Sequence, residues 1–296
     1  MENNMKISKS YRLFQVFNGM ILMALCFVTI YPIIYVIAAS FSDGAALVSH
    51  TGFLFKPVGK ANVDAFKAVL NNPNIFIGYR NTLMVLTLGT TFMVMMTSLG
   101  AYVLSRRNVK WKNIIMMLIV FTMFFEGGLV PFFLQVQALH LTDTLFSLVL
   151  PFSVNAYNLI IMRTSFAAIP YSLEESAKVD GARHWTILFK IILPLSKPVI
   201  AVMVLYYGVA IWNGWFWASV FLTDRNLYPL QLVLREILIA NDTSSMTANQ
   251  DVIDTVNIAE TIKYATIVVS TVPILLVYPF LQRYFVKGVM IGAVKG

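Results

Sequence analysis

Ile169-Pro-Tyr-Ser-Leu-Glu-Glu-Ser-Ala-Lys-Val-Asp-Gly-Ala-Arg-His-Trp-Thr-Ile-Leu-Phe-Lys-Ile-Ile-Leu-Pro194 is a charged interlude between two long apolar stretches. Ser172 and Glu175 stand three apart, the spacing of a capping box. In that motif the hydroxyl accepts from the Glu175 N–H and the carboxylate reaches back to the Ser172 N–H. The pattern predicts a short helix over Leu173–Asp180, stopped by Gly181 in the left-handed conformation. A second apolar segment, Trp185–Leu193, is expected to halt at Pro194, and Pro198 to open the next stretch. The product is a helix–turn–helix with Leu173, Ala177 and Val179 among its apolar side chains. Taken alone, such a segment is equally well a capped connection between two apolar helices.

Outward from it, the chain is too apolar for water. Of 296 residues 58% are hydrophobic and 12% charged, and the mean hydropathy is +0.73. Soluble domains carry about 25% charged residues, so the polar surface here cannot cover a globule and lipid is the fitting solvent. An all-α integral membrane bundle follows. Six stretches reach the roughly 20 helical residues that cross a bilayer: Val16–Ser40, Thr82–Leu104, Asn113–Leu139, Leu145–Phe166, Val199–Leu222 and Tyr264–Phe285. Glu126-Gly127-Gly128 and Pro131 interrupt the third. The first is too long for the apolar core of a cleaved signal and reads as an uncleaved span. The second carries Thr90, Thr91, Thr97, Ser98, Gly100 and Ala101, small residues that suit close helix packing.

Charge orients the bundle. With six spans both termini lie on one side with loops 105–112 and 167–198, and that side holds 15 of the 22 Lys and Arg, from Lys6, Lys9 and Arg12 to Arg283, Lys287 and Lys295. It carries 4 of the 14 acids, a formal +11 (15 − 4); the other side has −3 (7 − 10). Basic loops stay in the cytoplasm, so both termini are expected there. The net charge of +8 is thereby assigned to the membrane's inner face, with no nucleic acid as partner. The domain reading is a cytoplasmic segment 1–15, a bundle 16–285 and a cytoplasmic tail 286–296. External segments cover 42–79 and 223–262, and Asn62, Val63, Phe66, Val69 and Leu70 in the first read as an N-capped amphipathic helix. The lone Cys26 cannot form an internal disulfide.

Glu175-Ser-Ala177, three residues, Gly181, nine residues, then Ile191-Ile-Leu-Pro194 resembles the signature of binding-protein-dependent ABC importer permeases. That pattern is Glu-Ala-Ala, three residues, Gly, nine residues, Ile-x-Leu-Pro, and only Ser176 departs from it. Phe125–Pro131, Ile161–Thr164, Trp212–Trp217 and the tail Gln282–Gly296 are similar to the carbohydrate-uptake branch, including complex-oligosaccharide permeases. The resemblance implies a six-helix permease in the bacterial cytoplasmic membrane, without enzymatic activity or a cofactor of its own. ATP and Mg would be bound by a cytoplasmic ATPase dimer, beside a second permease and an external solute-binding protein. It also implies that Glu174, Glu175, Ser176, Ala177, Asp180, Gly181, Arg183 and Pro194 couple to that ATPase. In agreement, no Gly-x-x-x-x-Gly-Lys-Ser/Thr phosphate loop occurs, and His50, His140 and His184 lack metal-ligand spacing.

A sugar path needs aromatic faces and hydrogen-bonding side chains. Asn155, Tyr157 and Asn158, and Trp212, Asn213, Trp215 and Trp217, are the candidates, with Trp212 and Trp215 at a spacing that can share a helix face. The competing reading is an interfacial aromatic belt. Glu126, roughly 20 Å along a helix from Asn113, is expected either within the outer half of the bilayer or in water at a helix break. Since the resembling permeases imply a small polar residue there, Glu126 is a candidate for substrate choice. The other classes kept open are a secondary transporter or channel, an integral-membrane enzyme, and an ABC permease for a non-sugar solute.

Overall fold

The structure, a computed structural model, describes residues 9–239, 259–276 and 279. Helix is the only regular secondary structure among them. The basic tail Gln282–Gly296, the end of the sixth predicted span, Lys6, and residues 240–258 of the second external segment lie outside the described residues. The chain divides into two compact units, 1–72 with 237–271, and 73–236 with 272–296.

In the first unit, α1 (Lys9–Ser40) is apolar all round and exposed along its most hydrophobic window, as a helix facing lipid should be. Its buried residues lie at its end, where Ala38 and Ala39 meet Leu47 and Leu54 with Tyr35, Val58 and Tyr264 around them. Asp43 caps α2 (Gly44–Ser49) by accepting from Ala46 N at 3.0 Å. The amphipathic helix expected near residue 62 exists as α3 (Asp64–Asn71), burying Ala65 and Val69. Its cap differs. Val63 takes the N-cap position without a side-chain bond, and Asn62 Oδ1 accepts instead from Asp64 N at 3.3 Å, one residue too early for a cap.

The second unit is built on α4, a single helix of 33 residues over Pro73–Ser105 with a π-helical stretch at Val85–Gly89. It begins well before the predicted Thr82, so residues 73–79 at the end of the first expected external segment are helical. Polar side chains near its start hid this, and the structure gives them partners. Asn81 Nδ2 donates to the carbonyls of Asn226 (2.8 Å) and Tyr228 (3.1 Å), and Thr82 Oγ1 accepts from Leu230 N at 2.9 Å. Further along, Thr90, Thr97, Ser98 and Ala101 are buried, whereas Thr91 is exposed. A Cβ on Gly100 would come within 3.0 Å of Leu159 Cδ1, which shows how closely the neighbouring helix approaches.

Three expected spans are broken. The third becomes α5 (Lys112–Phe121) and α6 (Leu129–Ala138), separated by seven non-helical residues, with Pro131 inside the first turn of α6 and Gly128 before it at φ +83°. In the fourth, short 3-10 turns at Leu145–Phe152 precede α7 (Ala156–Ala167) with a 51° bend, and Asn155 caps α7 by accepting from Asn158 N at 3.1 Å.

The predicted loop helix is α8 (Tyr171–Val179). The following apolar segment runs as α9 (His184–Leu195) straight through Pro194, then bends 85° into α10 (Lys197–Trp212). Pro194 therefore does not halt it, because Leu188–Ile192 is wound as π-helix just upstream, which relaxes the clash that a proline makes with the preceding turn. The break falls at Ser196, ahead of Pro198. The fifth expected span ends early, at Trp212; Asn213 and Gly214 turn the chain before α11 (Phe216–Phe221). Helix α12 (Leu230–Ile239) follows. The last described helix is α13 (Ala259–Leu276).

Among the described residues three helices, Ser10–Ser40, Pro73–Ser105 and Ala259–Leu276, are long and apolar enough to cross a membrane alone, and the number rises to five if each of the two bent pairs is one span. The shorter apolar helices α5 and α6 occupy the third expected span. The largest core lies in the second unit, where Phe166, Met162, Ile187, Leu188, Ile192 and Met203 are almost completely buried.

Candidate functional site

The loop helix α8 is set by packing more than by caps. Pro170 is its N-cap residue, with no side-chain hydrogen bond, and Leu173 N bonds Pro170 O at 3.2 Å. The predicted capping box is therefore absent: the helix starts two residues early, placing Ser172 inside the first turn. Proline at the boundary explains the shift, since its fixed φ and lack of an N–H suit a helix entry.

The far end is as predicted. Gly181 has φ +81°, Ala182 N bonds Ala177 O at 2.9 Å, and Gly181 N bonds Lys178 O at 3.0 Å, the paired bonds of a Schellman motif. A Cβ on Gly181 would meet nothing within 4 Å, so only backbone strain opposes substitution. Gly181→Ala is expected to cost about 1–2 kcal/mol at this helix end, read as faster amide exchange over residues 177–182 without a change elsewhere.

The two faces of α8 do different work. Glu174 and Ala177 are buried, with Ala177 in the same cluster as Phe166 and Ile187. Glu174 pairs with Arg106, the residue following α4, and with Lys178 Nζ at 2.8 Å. Arg106 is itself buried; its guanidinium donates to Phe166 O at 3.2 Å and to Ser105 Oγ at 2.9 Å, and lies 5.0 Å from the Tyr102 ring centroid. Tyr102 in turn hydrogen-bonds His184 at 2.9 Å. One ion cluster thus ties together the ends of α4 and α7 and the starts of α8 and α9. Burial pushes the Glu174 carboxyl up, but the bonds and charges of Lys178 and Arg106 outweigh it and hold the group below its ordinary value.

The opposite face is presented outward. Ser172, Glu175, Ser176 and Val179 recur at i, i+3, i+4 and i+7, and all are exposed, as are Asp180, Gly181, Arg183 and Pro194. Val179 is 87% and Trp185 61% exposed, large apolar surfaces on a loop otherwise charged.

A second candidate region is a cavity of about 540 Å³. Asn155, Tyr157, Asn158, Tyr206, Tyr207 and Trp217 supply most of its hydrogen-bonding groups and, with Phe152, its aromatic faces. Tyr207 Oη meets Thr97 Oγ1 at 2.7 Å and accepts from Asn155 N at 3.1 Å, so it fixes the wall on both sides. Tyr157 and Tyr206 are nearly parallel, 6.4 Å apart. A larger apolar cavity of about 910 Å³ lies along α4 and α10.

Residues 87–291 match the family described as "Binding-protein-dependent transport system inner membrane component". The chain belongs to this family. Protein LplC of Bacillus subtilis (strain 168) is 40% identical over 99% of both chains. The polygalacturonan/rhamnogalacturonan transport system permease protein YtcP of the same organism is 41% identical, over 96% of this chain and 99% of its own. Among solved structures, a chain of a bacterial ABC transporter involved in the import of the acidic polysaccharide alginate is 35% identical, with a TM-score of 0.88 over 94% of this chain and 98% of that one.

In this permease the structure separates residues that the motif had grouped. Glu175, Ser176, Asp180, Gly181 and Arg183 share the exposed side of the loop, whereas Glu174 and Ala177 anchor it inward. In the sequence Arg106 stood only within the charge count of loop 105–112; the available signal was that Glu174 lies three residues before Ala177, on the helix face buried with it. The sugar candidates divide too. Asn155, Tyr157, Asn158 and Trp217 line the smaller cavity, and Trp212 lines the larger apolar one. Because α10 ends at Trp212, the helical spacing to Trp215 does not hold, and Asn213 spends its amide on Val209 O at 3.0 Å. Glu126 lies exposed in a helix break between α5 and α6, the second of the two settings expected for it, rather than on a continuous helix running from Asn113. It lines neither cavity.

Proposed function

We propose that this permease carries an oligosaccharide through the bacterial cytoplasmic membrane and is driven by an ATPase dimer that docks on the exposed face of α8. The observation that carries the coupling half is the two-faced helix itself: its inner face is locked to α4 and α7 by buried charges, leaving an outer face of acidic, small and apolar residues. A groove that closes on ATP, with Mg bound by the ATPase, would push a helix held this way as a rigid lever. The cargo half is supported by the cavity of tyrosines, asparagines and Trp217, and by relatives named for polysaccharide transport.

The same reading takes the chain as six spans, with both termini and loop 167–198 cytoplasmic. A second permease completes the pathway and an external binding protein delivers the sugar. Tyr157, 54% exposed at the cavity, is the position to test. In proteoliposomes holding the complete importer, Tyr157→Ala is expected to lower sugar-stimulated ATP hydrolysis and uptake about three- to tenfold, a ring-face contact of about 0.5–1.5 kcal/mol. Basal hydrolysis should be unchanged. Uptake of an amino acid or peptide in preference to every oligosaccharide offered would overturn the cargo assignment.

A further inference from the structure

One aromatic cluster serves neither the docking helix nor either cavity. Every residue of α1 from Ser10 to Ile30 is exposed, and protein cover begins at Tyr31. There the loop 51–57 folds back along the helix. Tyr31 Oη accepts from Leu54 N at 3.1 Å, and the Tyr31 ring meets those of Phe53 and Phe55 edge-on, with centroids 5.3 and 5.4 Å away. Phe55 also reaches Phe27 at 6.3 Å, and Leu54 is buried in one cluster with Ala38 and Ala39. The rings stay open on their other sides: Phe53 is 74% and Phe55 49% exposed, and Lys56 beside them is exposed too. They adjoin Phe27 and Ile30, exposed on α1 itself, so the lipid that covers the helix also meets the rings.

Two constraints fix where the bilayer meets this cluster. In residues 51–56 Leu54 N is the one backbone donor bonded among the described residues, and free donors in non-helical backbone are not tolerated facing hydrocarbon. The hydrocarbon therefore ends no further along α1 than Tyr31. At the other end Arg12 is the last charged residue before Asp43 and belongs at the opposite boundary. Leu13–Tyr31 covers about 28 Å of helix, which matches the roughly 30 Å of a hydrocarbon core. A span reaching Ser40, as expected from the sequence, would sink the loop about 13 Å below the surface. The composition suits the level: rings belong at the acyl edge of the headgroups, and a lysine stem carries its ammonium to the phosphates. We infer that Phe53, Phe55 and Lys56 form a phospholipid-binding anchor, which sets α1 with Leu13–Tyr31 in hydrocarbon and Pro32–Ser40 standing in water. The orientation proposed above makes this the outer leaflet; the depth does not depend on it.

The test reads depth in the complete importer, in proteoliposomes of phosphatidylcholine and phosphatidylglycerol. A nitroxide is attached to one cysteine at a time, with the partner subunits free of cysteine: Cys26 itself, then Thr51→Cys and Ile37→Cys, each with Cys26→Ser. Power saturation by oxygen and by a water-soluble nickel chelate gives the level of each label. Label 51 is expected at the headgroup boundary, label 26 about 8 Å deeper, and label 37 about 9 Å further out, in water. With Phe53→Ser and Phe55→Ser together, label 51 should move outward and gain nickel contact severalfold. If that double variant fails to assemble, the three depths decide alone. Label 37 in hydrocarbon with label 51 deep beneath it restores the longer span and overturns the anchor. So does label 51 in bulk water, or an unmoved label 51 in the double variant. Shielding of label 51 from both reagents also overturns it, because a protein partner then covers the rings. An impermeant maleimide on intact cells reads the side separately. Reaction at Thr51→Cys only after the cells are opened removes the six-span orientation and leaves the depth assignment standing.

Discussion

Replacing Glu174 by alanine is expected to free α8 from the bundle and to abolish coupled ATP hydrolysis, although no partner need touch this side chain. Glu174 and Arg106 expose 1% and 7% of their side chains, so the mutation leaves a guanidinium without its counter-charge. Removing one member of a buried pair costs about 3–5 kcal/mol, most of it the penalty of the orphaned charge. Glu174→Gln should cost less, because the amide oxygen still accepts from Arg106. Removing both charges in Arg106→Met with Glu174→Leu should recover much of the loss, since an apolar pair of similar volume suits this core. The measurement is amide exchange across residues 171–183 beside ATP turnover in the assembled importer. Native-like protection in the alanine variant would show that the ion cluster does not hold the helix. The pH dependence has a definite sign. Because the folded Glu174 carboxyl lies below its ordinary value, its contribution is complete above the ordinary carboxylate range and is lost as pH falls through the lower folded value. Docking should therefore be insensitive to pH near neutrality and loosen only in acid.

Glu175→Lys should give the opposite combination, an intact helix and a lost partner. Glu175 is one residue away yet exposed, and it makes no hydrogen bond or ion pair among the described residues. With the capping box absent, its carboxylate is not committed to the α8 N-terminus, so nothing among the described residues competes for it. A charge desolvated in a protein groove and paired there typically loses about 2–5 kcal/mol when its partner is removed, which is roughly 30-fold or more in affinity. Reversal should weaken copurification of the ATPase subunit at least that much and reduce transport in step, with exchange over α8 unchanged. Glu175→Gln should fall between. Wild-type affinity and transport in the lysine variant would place the docking contact elsewhere.

Glu174 and Glu175 also mark the boundary of what could be read without coordinates. Their sequence position identified the family's loop, and Gly181 announced its end, because a left-handed stop is a local backbone requirement. Which glutamate faces the bundle is set by the helix start, and Pro170 moved that start by two residues. Arg106 escaped notice because it is distant in sequence: 68 residues separate it from Glu174. The apolar stretches were legible from length and composition, as was the interruption of the third at Glu126-Gly127-Gly128 and Pro131; the bends in the fourth and fifth were not. Pro194 lies inside a helix and Trp212 ends one, each outcome decided by neighbouring turns and carbonyls rather than by residue type.

The sequence by itself determined that this chain is an all-helical membrane protein, where its apolar stretches lie, and which loop marks its family. These follow from composition, period and local backbone preference, all of which act within a few residues. Only the tertiary structure decided that one glutamate of the pair is an anchor and the other is presented outward, that Tyr207 links Thr97 to Asn155, and that the loop at Leu54 folds back onto Tyr31. Those are pairings between segments far apart in the chain, and they are settled by which buried charges and polar groups find partners when the helices pack.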